Sequence, residues 1–281
     1  MIKGVIFDLS GTIIDKYSLS SLINLRKAFF SKRIDLYPNM LVKDLDKKKL
    51  NHIYAISNTY DFKYQFLHIH GRRHYDNDLL EIYDEFCYLQ QLSLQQLSLQ
   101  HLSLQQLSLK TNIDIIPGAE DTLNMLKDRN IKIGIATDFN EQHMSLGIDI
   151  LKRYGVEIDS AVSTSCLAKV TRPNKDMVKL NMEQMGIDDP KHILKVDSTC
   201  LGIQEGLNAD CTTVAVPRWS ASMGVHSYKC LEELEDPDNF GKLRGKLIMS
   251  REILYNSNPY YMINDLKLLE QCLEPNNLLS I

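Results

Sequence analysis

Five short apolar runs recur along this chain, and helix-like stretches separate them. IKGVIFD (residues 2–8), IKIGIATDF (ending near Thr137), AVSTS (161–165), HILKVD (192–197) and CTTVAVP (211–217) are too short for typical helices. They have the continuous apolar character of strands buried on both faces. Between the later runs, residues 115–129 place Ala119, Leu123 and Leu126 at helical spacing. Glu141 to Tyr154, Pro173 to Met185 (stopped by Gly186) and a segment ending about Asn208 also read as helices. Strands that alternate with helices predict an α/β fold, a doubly wound parallel sheet covered on both faces. In such sheets the chemistry gathers at the carboxyl ends of the strands.

About a hundred residues between the first strand and Pro117 have a different texture, rich in Leu, Lys, Tyr and His. They predict a helical cap, residues 17–110, inserted into a core made of 1–16 and 111–281. The cap ends in a low-complexity repeat at 89–110: LQQLS, LQQLS, LQHLS, LQQLS, LK. A period of five fits neither a strand nor a single helical stripe, although Leu and Gln both favour helix. The repeat reads as an extended helix with Leu around much of its circumference, or as a partly disordered excursion. A tandem duplication that the fold tolerates is favoured over a coiled-coil surface.

Composition excludes several function classes. The formal net charge is −4, from 32 Lys and Arg against 36 Asp and Glu, so no basic excess is available to hold nucleic acid. No stretch approaches the ~18 consecutive apolar residues of a membrane span. MIKGVIFDLSGT turns polar too early for a signal peptide. Six scattered cysteines read as reduced thiols, and a cytoplasmic location is expected. His68, His70 and His74 lack the supporting acids or cysteines of a metal site and read as cap-helix residues.

The strongest chemical signal is Phe7-Asp8-Leu9-Ser10-Gly11-Thr12. A carboxylate at a strand end can attack phosphorus to form an aspartyl phosphate, and the N–H groups of a glycine turn can receive phosphate oxygens. The plainer reading is an Asp that caps a turn. By themselves, Lys47, Lys48 and Lys49 read as a solvated face.

FDLSGT resembles the nucleophile motif Asp-x-Asp-Gly-Thr of the haloacid dehalogenase-like superfamily. Ser10 replaces the second Asp, and a hydroxyl is a poor general acid at neutral pH. Within the superfamily the phosphonatases, or phosphonoacetaldehyde hydrolases, lack that second Asp, and the rest of the chain is similar to them. IKIGIATDF ends in a motif threonine, Thr137; VTRPNKDMV carries an Arg-Pro pair, Arg172 and Pro173; KKKLNHIYAIS carries Lys-x-x-His, Lys49 and His52. IYDEF, LKVDSTCLGIQEGLNAD and NPYYMINDLKLLE also look similar, so the resemblance spans nearly the whole chain except the repeat.

The resemblance implies a haloacid dehalogenase-like core with an inserted cap and cleavage of a carbon–phosphorus bond to give acetaldehyde and phosphate. Lys49 would form a Schiff base with the aldehyde, and Asp8 would take the phosphoryl group with Mg²⁺ assisting. Ser10, Thr137, Arg172 and His52 would bind substrate or phosphate. The resemblance also implies a small-molecule phosphonate as partner and a homodimer formed through the cap.

The chain departs from this family at its fourth motif, Gly-Asp-Thr-x-x-Asp. Here it reads Asp197-Ser198-Thr199-Cys200-Leu201-Gly202, so both acidic positions are lost. Mg²⁺ requires oxygen ligands near octahedral geometry. Asp8, the Ser10 carbonyl and water remain, with Asp197 or Asp138 as candidate replacement ligands. Phe139 replaces a common family Tyr, and Ser18 an early-cap Cys. These losses define an alternative reading, a catalytically impaired or inactive descendant that binds a phosphorylated ligand or a partner. An ordinary phosphomonoesterase is disfavoured by Ser10.

Overall fold

The computed structural model describes residues 1–42, 44, 47–99, 114–167 and 172–274. Six parallel strands form one sheet in the order β3-β2-β1-β4-β5-β6: β1 (Gly4–Phe7), β2 (Lys132–Thr137), β3 (Ser160–Ser163), β4 (Ile193–Asp197), β5 (Thr212–Ala215) and β6 (Tyr261–Met262). The order reverses direction at β1, so the sheet is doubly wound. The carboxyl ends of β1, β2 and β4 share one rim, in the region where such sheets bind ligands.

Helices cover both faces. Val5, Phe7, Ile133, Ile135, Leu194 and Val196 face one apolar layer with α6 (Ala119–Asp128) and α7 (Glu141–Arg153). Ile6, Ala136 and Ile193 face the other, against Met177, Val178, Met182 and Met185 of α8 (Asp176–Met185). Burial of each such Val, Leu, Ile, Phe or Met side chain favours the folded state by about 1.5–3 kcal/mol. Side chains cap several helix starts: Asn140 accepts from the His143 N–H at 2.8 Å, and Thr199 from the Gly202 N–H at 3.0 Å at the start of α9 (Cys200–Asn208).

The inserted helices are α1 (Leu19–Ser31), α2 (Pro38–Val42), α3 (Lys49–Ser57), α4 (Tyr60–His70) and α5 (Asp76–Leu99). They enclose their own apolar core around Phe29, Leu36, Ile53, Phe62, Phe66 and Ile82. The repeat enters this unit as the last turns of α5. Leu94 is buried against the main core, and Gln90 is buried with its carbonyl accepting from Asn24 Nδ2 at 3.1 Å. Residues 100–110 of the repeat lie outside the described residues. His68 and His70 are exposed on α4, and His74 packs against Phe62 and Phe66.

Three features differ from the sequence expectation. The sheet has a sixth strand, β6, which has only two half-buried residues and therefore no apolar run to reveal it. The chain beyond β5 also forms α10 (Tyr228–Glu235), α11 (Phe240–Tyr255) and α12 (Glu270–Leu273). The third strand begins at Ser160, and Thr164–Cys166 already turn into a 3-10 helix.

The two chain crossings between core and cap are stitched together. Ile14 bridges Ile115, the Asp15 N–H donates to the Asp114 carbonyl at 3.1 Å, and the Ile116 N–H donates to the Ile13 carbonyl at 2.8 Å. Asp15, buried at φ 58°, accepts from the Ser20 N–H (3.1 Å), Ser20 Oγ (2.5 Å) and Ser10 Oγ (3.0 Å). It ties the loop after β1 to the first turn of α1. Burial lifts its pKa to about 6, against the pull of these hydrogen bonds. Asp15→Ala strands these donors and places a Cβ-branched-free but non-glycine residue at positive φ without its local hydrogen bonds. A loss of at least about 2 kcal/mol is expected in denaturant unfolding, and wild-type stability would contradict this account.

Candidate active site

Asp8 follows β1 directly, and its N–H donates to the Val196 carbonyl at 3.0 Å, which fixes it beside the end of β4. The chain then turns sharply through Gly11 at φ 75°. A Cβ there would lie 3.0 Å from Ser18 Oγ and 3.1 Å from Ser198 Oγ, so the turn needs glycine for both conformation and space. Thr137 ends β2 with its Oγ1 accepting from the Phe139 N–H at 3.3 Å, which leaves the hydroxyl proton available to a ligand.

Arg172 closes the site from the far side. It is 6% exposed and contacts carboxylates from four segments: Asp8 (3.2 Å), Asp138 (3.6 Å), Asp197 (3.6 Å) and Glu205 (3.2 Å). It also donates to the Ala136 carbonyl. Burial disfavours its charge, yet Asp138, Glu205, Asp197 and Asp8 together hold its pKa well above the ordinary value. Beneath it, fully buried Lys195 lies 2.5 Å from Asp197 and 3.8 Å from Glu205. The buried Asp197 is pushed upward by burial but held low on balance by Lys195 and Arg172. Burial raises Glu205 despite the same two cations. Asp8 is raised to about 7 by burial and by Asp197, with Arg172 and Lys195 opposing.

The cap supplies the opposite wall of a cleft of about 410 Å³. Asp8, Ser10, Thr137, Asp138 and Arg172 line it from the core, and Lys49, Phe86 and Tyr83 from the cap. Lys49 opens α3 and its ammonium sits 5.5 Å from the centre of the Phe86 ring. Burial lowers its pKa to about 8, although Asp15 and Asp138 pull it upward. An amine so placed is substantially neutral near pH 8, as imine formation requires.

The predicted site residues therefore divide. Asp8, Ser10, Thr137, Arg172 and Lys49 share the cleft. His52, one turn beyond Lys49, is fully buried inside the cap, and the cleft lining from α3 is confined to Lys49 and Leu50; its position is that of a packing residue. Asp197 lies below the cleft rather than in its wall. Sequence reasoning missed Lys195, Glu205, Asp15 and His143. The buried His143 lines the cleft, with Phe139 edge-on at 6.1 Å. A Lys in the apolar run HILKVD and a Glu on the inner face of the following helix were the available signals for the first two.

A family model for haloacid dehalogenase-like hydrolases matches residues 2–210. The chain belongs to the haloacid dehalogenase-like hydrolases. It is 28% identical over 268 residues to a phosphonoacetaldehyde hydrolase of Vibrio vulnificus (strain YJ016), covering 94% of this chain and 90% of that one. It is 25% identical over 273 residues to a phosphonoacetaldehyde hydrolase of Bacillus cereus (strain B4264), covering 97% and 96%. The crystal structure of a phosphonoacetaldehyde hydrolase-like protein from Oleispira antarctica superposes with a TM-score of 0.78 at 22% identity, covering 97% and 91%. Among the described residues no helix is long and apolar enough to cross a membrane.

Hydrolases of this family generally use Mg²⁺, but the residues present do not make a good seat for it. Ser198 stands at the lost acidic position, and its hydroxyl donates to the Ser10 carbonyl at 3.4 Å. Both Asp197 oxygens are engaged, Oδ2 by Lys195 and Oδ1 by the Thr199 N–H (2.9 Å) and hydroxyl (2.8 Å). Asp8 and Asp138 already face Arg172, at 3.2 and 3.6 Å. No group of three His, Cys, Asp or Glu side chains converges as a metal site among the described residues. A small hard cation needs several free oxygens, and this arrangement leaves too few.

The depressed Lys49 pKa has a stability consequence. Below about pH 8 the amine is charged in both folded and unfolded chains, so the full penalty for holding it in the cleft is present. Between about 8 and 10.5 the folded chain has released a proton that the unfolded chain keeps, and the penalty fades as pH rises. Lys49→Met is therefore expected to raise the melting temperature at pH 7, with a gain that shrinks above pH 8. A gain that grew with pH would reverse the assigned shift.

Proposed function

We propose that this protein is a phosphonatase-type hydrolase acting on phosphonoacetaldehyde or a close aldehyde phosphonate. The observation that carries the reading is the pairing of Asp8 and Lys49 across one cleft, a buried carboxylate on the core and an amine lowered to about 8 on the cap. The named relatives support the substrate class.

In this reading Lys49 Nζ adds to the aldehyde carbon and water leaves, giving a protonated imine. Asp8 attacks phosphorus, the carbon–phosphorus bond breaks, and its electron pair moves into the imine system to give an enamine. Water then hydrolyses the aspartyl phosphate to phosphate, the enamine carbon that lost phosphorus takes a proton to regenerate the iminium, and water hydrolyses that iminium to release acetaldehyde and free Lys49. Arg172 and the Thr137 hydroxyl hold phosphoryl oxygens, and the cap shields the imine from early hydrolysis. No acid at position 10 is required, because the leaving carbon is activated from the cap.

A coupled dehydrogenase assay for acetaldehyde tests this directly. Turnover is expected in the wild-type protein and its loss, by at least about a thousandfold, in Asp8→Ala. Absence of turnover by folded wild-type protein would favour the non-catalytic, ligand-binding reading that Ser198 and Gly202 suggest. Borohydride should trap substrate on Lys49, about tenfold faster per pH unit up to near pH 8, because only the neutral amine adds. Continued trapping by Lys49→Arg would remove Lys49 from its role.

A further inference from the structure

The two changes in the fourth motif are not independent losses. A Cβ built on Gly202 would fall directly onto the Asp197 carboxylate, with Oδ2, Cγ and Oδ1 as its nearest atoms. No side chain fits at 202 while Asp197 keeps its place, and the Asp197 carboxylate fills the volume that a residue-202 side chain would enter. The acid that the family carries at the sixth motif position has, in this chain, been replaced by one arriving from the first.

The relocated carboxylate does different work. Thr199 clamps one oxygen through its N–H and hydroxyl, while Lys195 and Arg172 face the other. With Glu205 these residues form a buried quartet of two cations and two carboxylates. Burying a guanidinium without such partners would be strongly unfavourable. The quartet fixes Arg172 where it lines the cleft beside Asp8. At the same time Ser198 turns its hydroxyl to the Ser10 carbonyl, one of the oxygens expected to hold a metal.

We propose that Asp197 and Gly202 are one exchanged unit: Asp197 occupies the space vacated at 202, positions Arg172 through the buried Lys195–Glu205 network, and lets the cleft bind a phosphate-like anion without a divalent cation. This deepens the phosphonatase reading and rests on it for the identity of the anion, but it is tested by binding and not by turnover. Arg172 touches the anion, whereas Asp197 is a positioning residue.

Calorimetric titration of the wild-type protein with inorganic phosphate, once in excess EDTA and once in saturating Mg²⁺, is the first arm. The same affinity within about twofold is expected. A loss of about tenfold or more in EDTA, or no binding in either condition, overturns the proposal. These results are independent of whether phosphonoacetaldehyde is cleaved.

The second arm tests the exchange. Gly202→Asp is expected to lower the melting temperature, and adding Asp197→Gly to recover it. Adding Ser198→Asp to that pair should make phosphate affinity depend on Mg²⁺ by about tenfold or more, a change that a merely structural role for Asp197 would not produce. Wild-type stability of Gly202→Asp, or a triple variant as indifferent to Mg²⁺ as the wild type, overturns the exchange. If the variants do not fold, the wild-type titration still decides the metal question.

Discussion

A guanidinium buried to the extent of Arg172 can persist only if the surrounding elements deliver carboxylates to it. Here they come from the end of β1, the end of β2, the end of β4 and the inner face of α9. The parallel register makes this possible, since it brings Phe7, Ile135 and Val196 abreast so that the residues following each strand share one rim. Removing any one carboxylate would leave the cation short of a partner in a low-dielectric setting, where the loss is larger than at a surface. The ends of three strands and one helix are therefore held in mutual register by one side chain as well as by the sheet.

The same charge network sets the chemistry available at Asp8. A carboxylate facing only Arg172 would ionise well below neutrality. Burial and the proximity of Asp197 instead bring Asp8 to about 7, so its charge is sensitive to what enters the cleft. Lys49 approaches the same range from above, through burial beside Phe86. The carboxylate on the core and the amine on the cap thus have opposed shifts that converge near neutrality, an arrangement that often marks functional sites.

Much of this arrangement was legible in the residues, for identifiable reasons. The first five strands coincide with short apolar runs, and the Leu-, Lys-, Tyr- and His-rich texture of the cap set it apart from them. Asp8 and Thr137 sit at strand ends, where sequence position translates directly into a place on the rim, whereas Arg172 lies in the turn before α8, which begins at Asp176 and not at Pro173 as its sequence suggests. β6 was not legible because two half-buried residues carry no periodic signal. Lys195 was hidden by its strand, since a lysine in an apolar run gives no sign of the carboxylates that will meet it. His52 differs in another way: helical spacing put it on the face of Lys49, but it is buried, and the cleft lining from α3 stops at Leu50. The sequence showed that two acids were missing from the fourth motif. That Asp197 stands in the space above Gly202 follows only from the way β4 turns into α9.

Ser10 links the loop after β1 to the cap. In a phosphomonoesterase the side chain at this position must move a proton to the leaving oxygen, and a hydroxyl does this poorly. Here Ser10 Oγ instead donates to Asp15 Oδ2 and lies 3.0 Å from Ser18 Oγ, in the stitch that joins the loop after β1 to the cap. Asp15 passes the connection to Ser20, and Gln90 of α5 donates to Ser20 Oγ at 3.4 Å. A position that could have supplied a proton has become part of the linkage between the two walls of the cleft. That trade suits the proposed reaction, whose leaving group would be activated by Lys49 from the cap, because such a reaction depends more on how the two walls of the cleft are joined than on an acid beside Asp8.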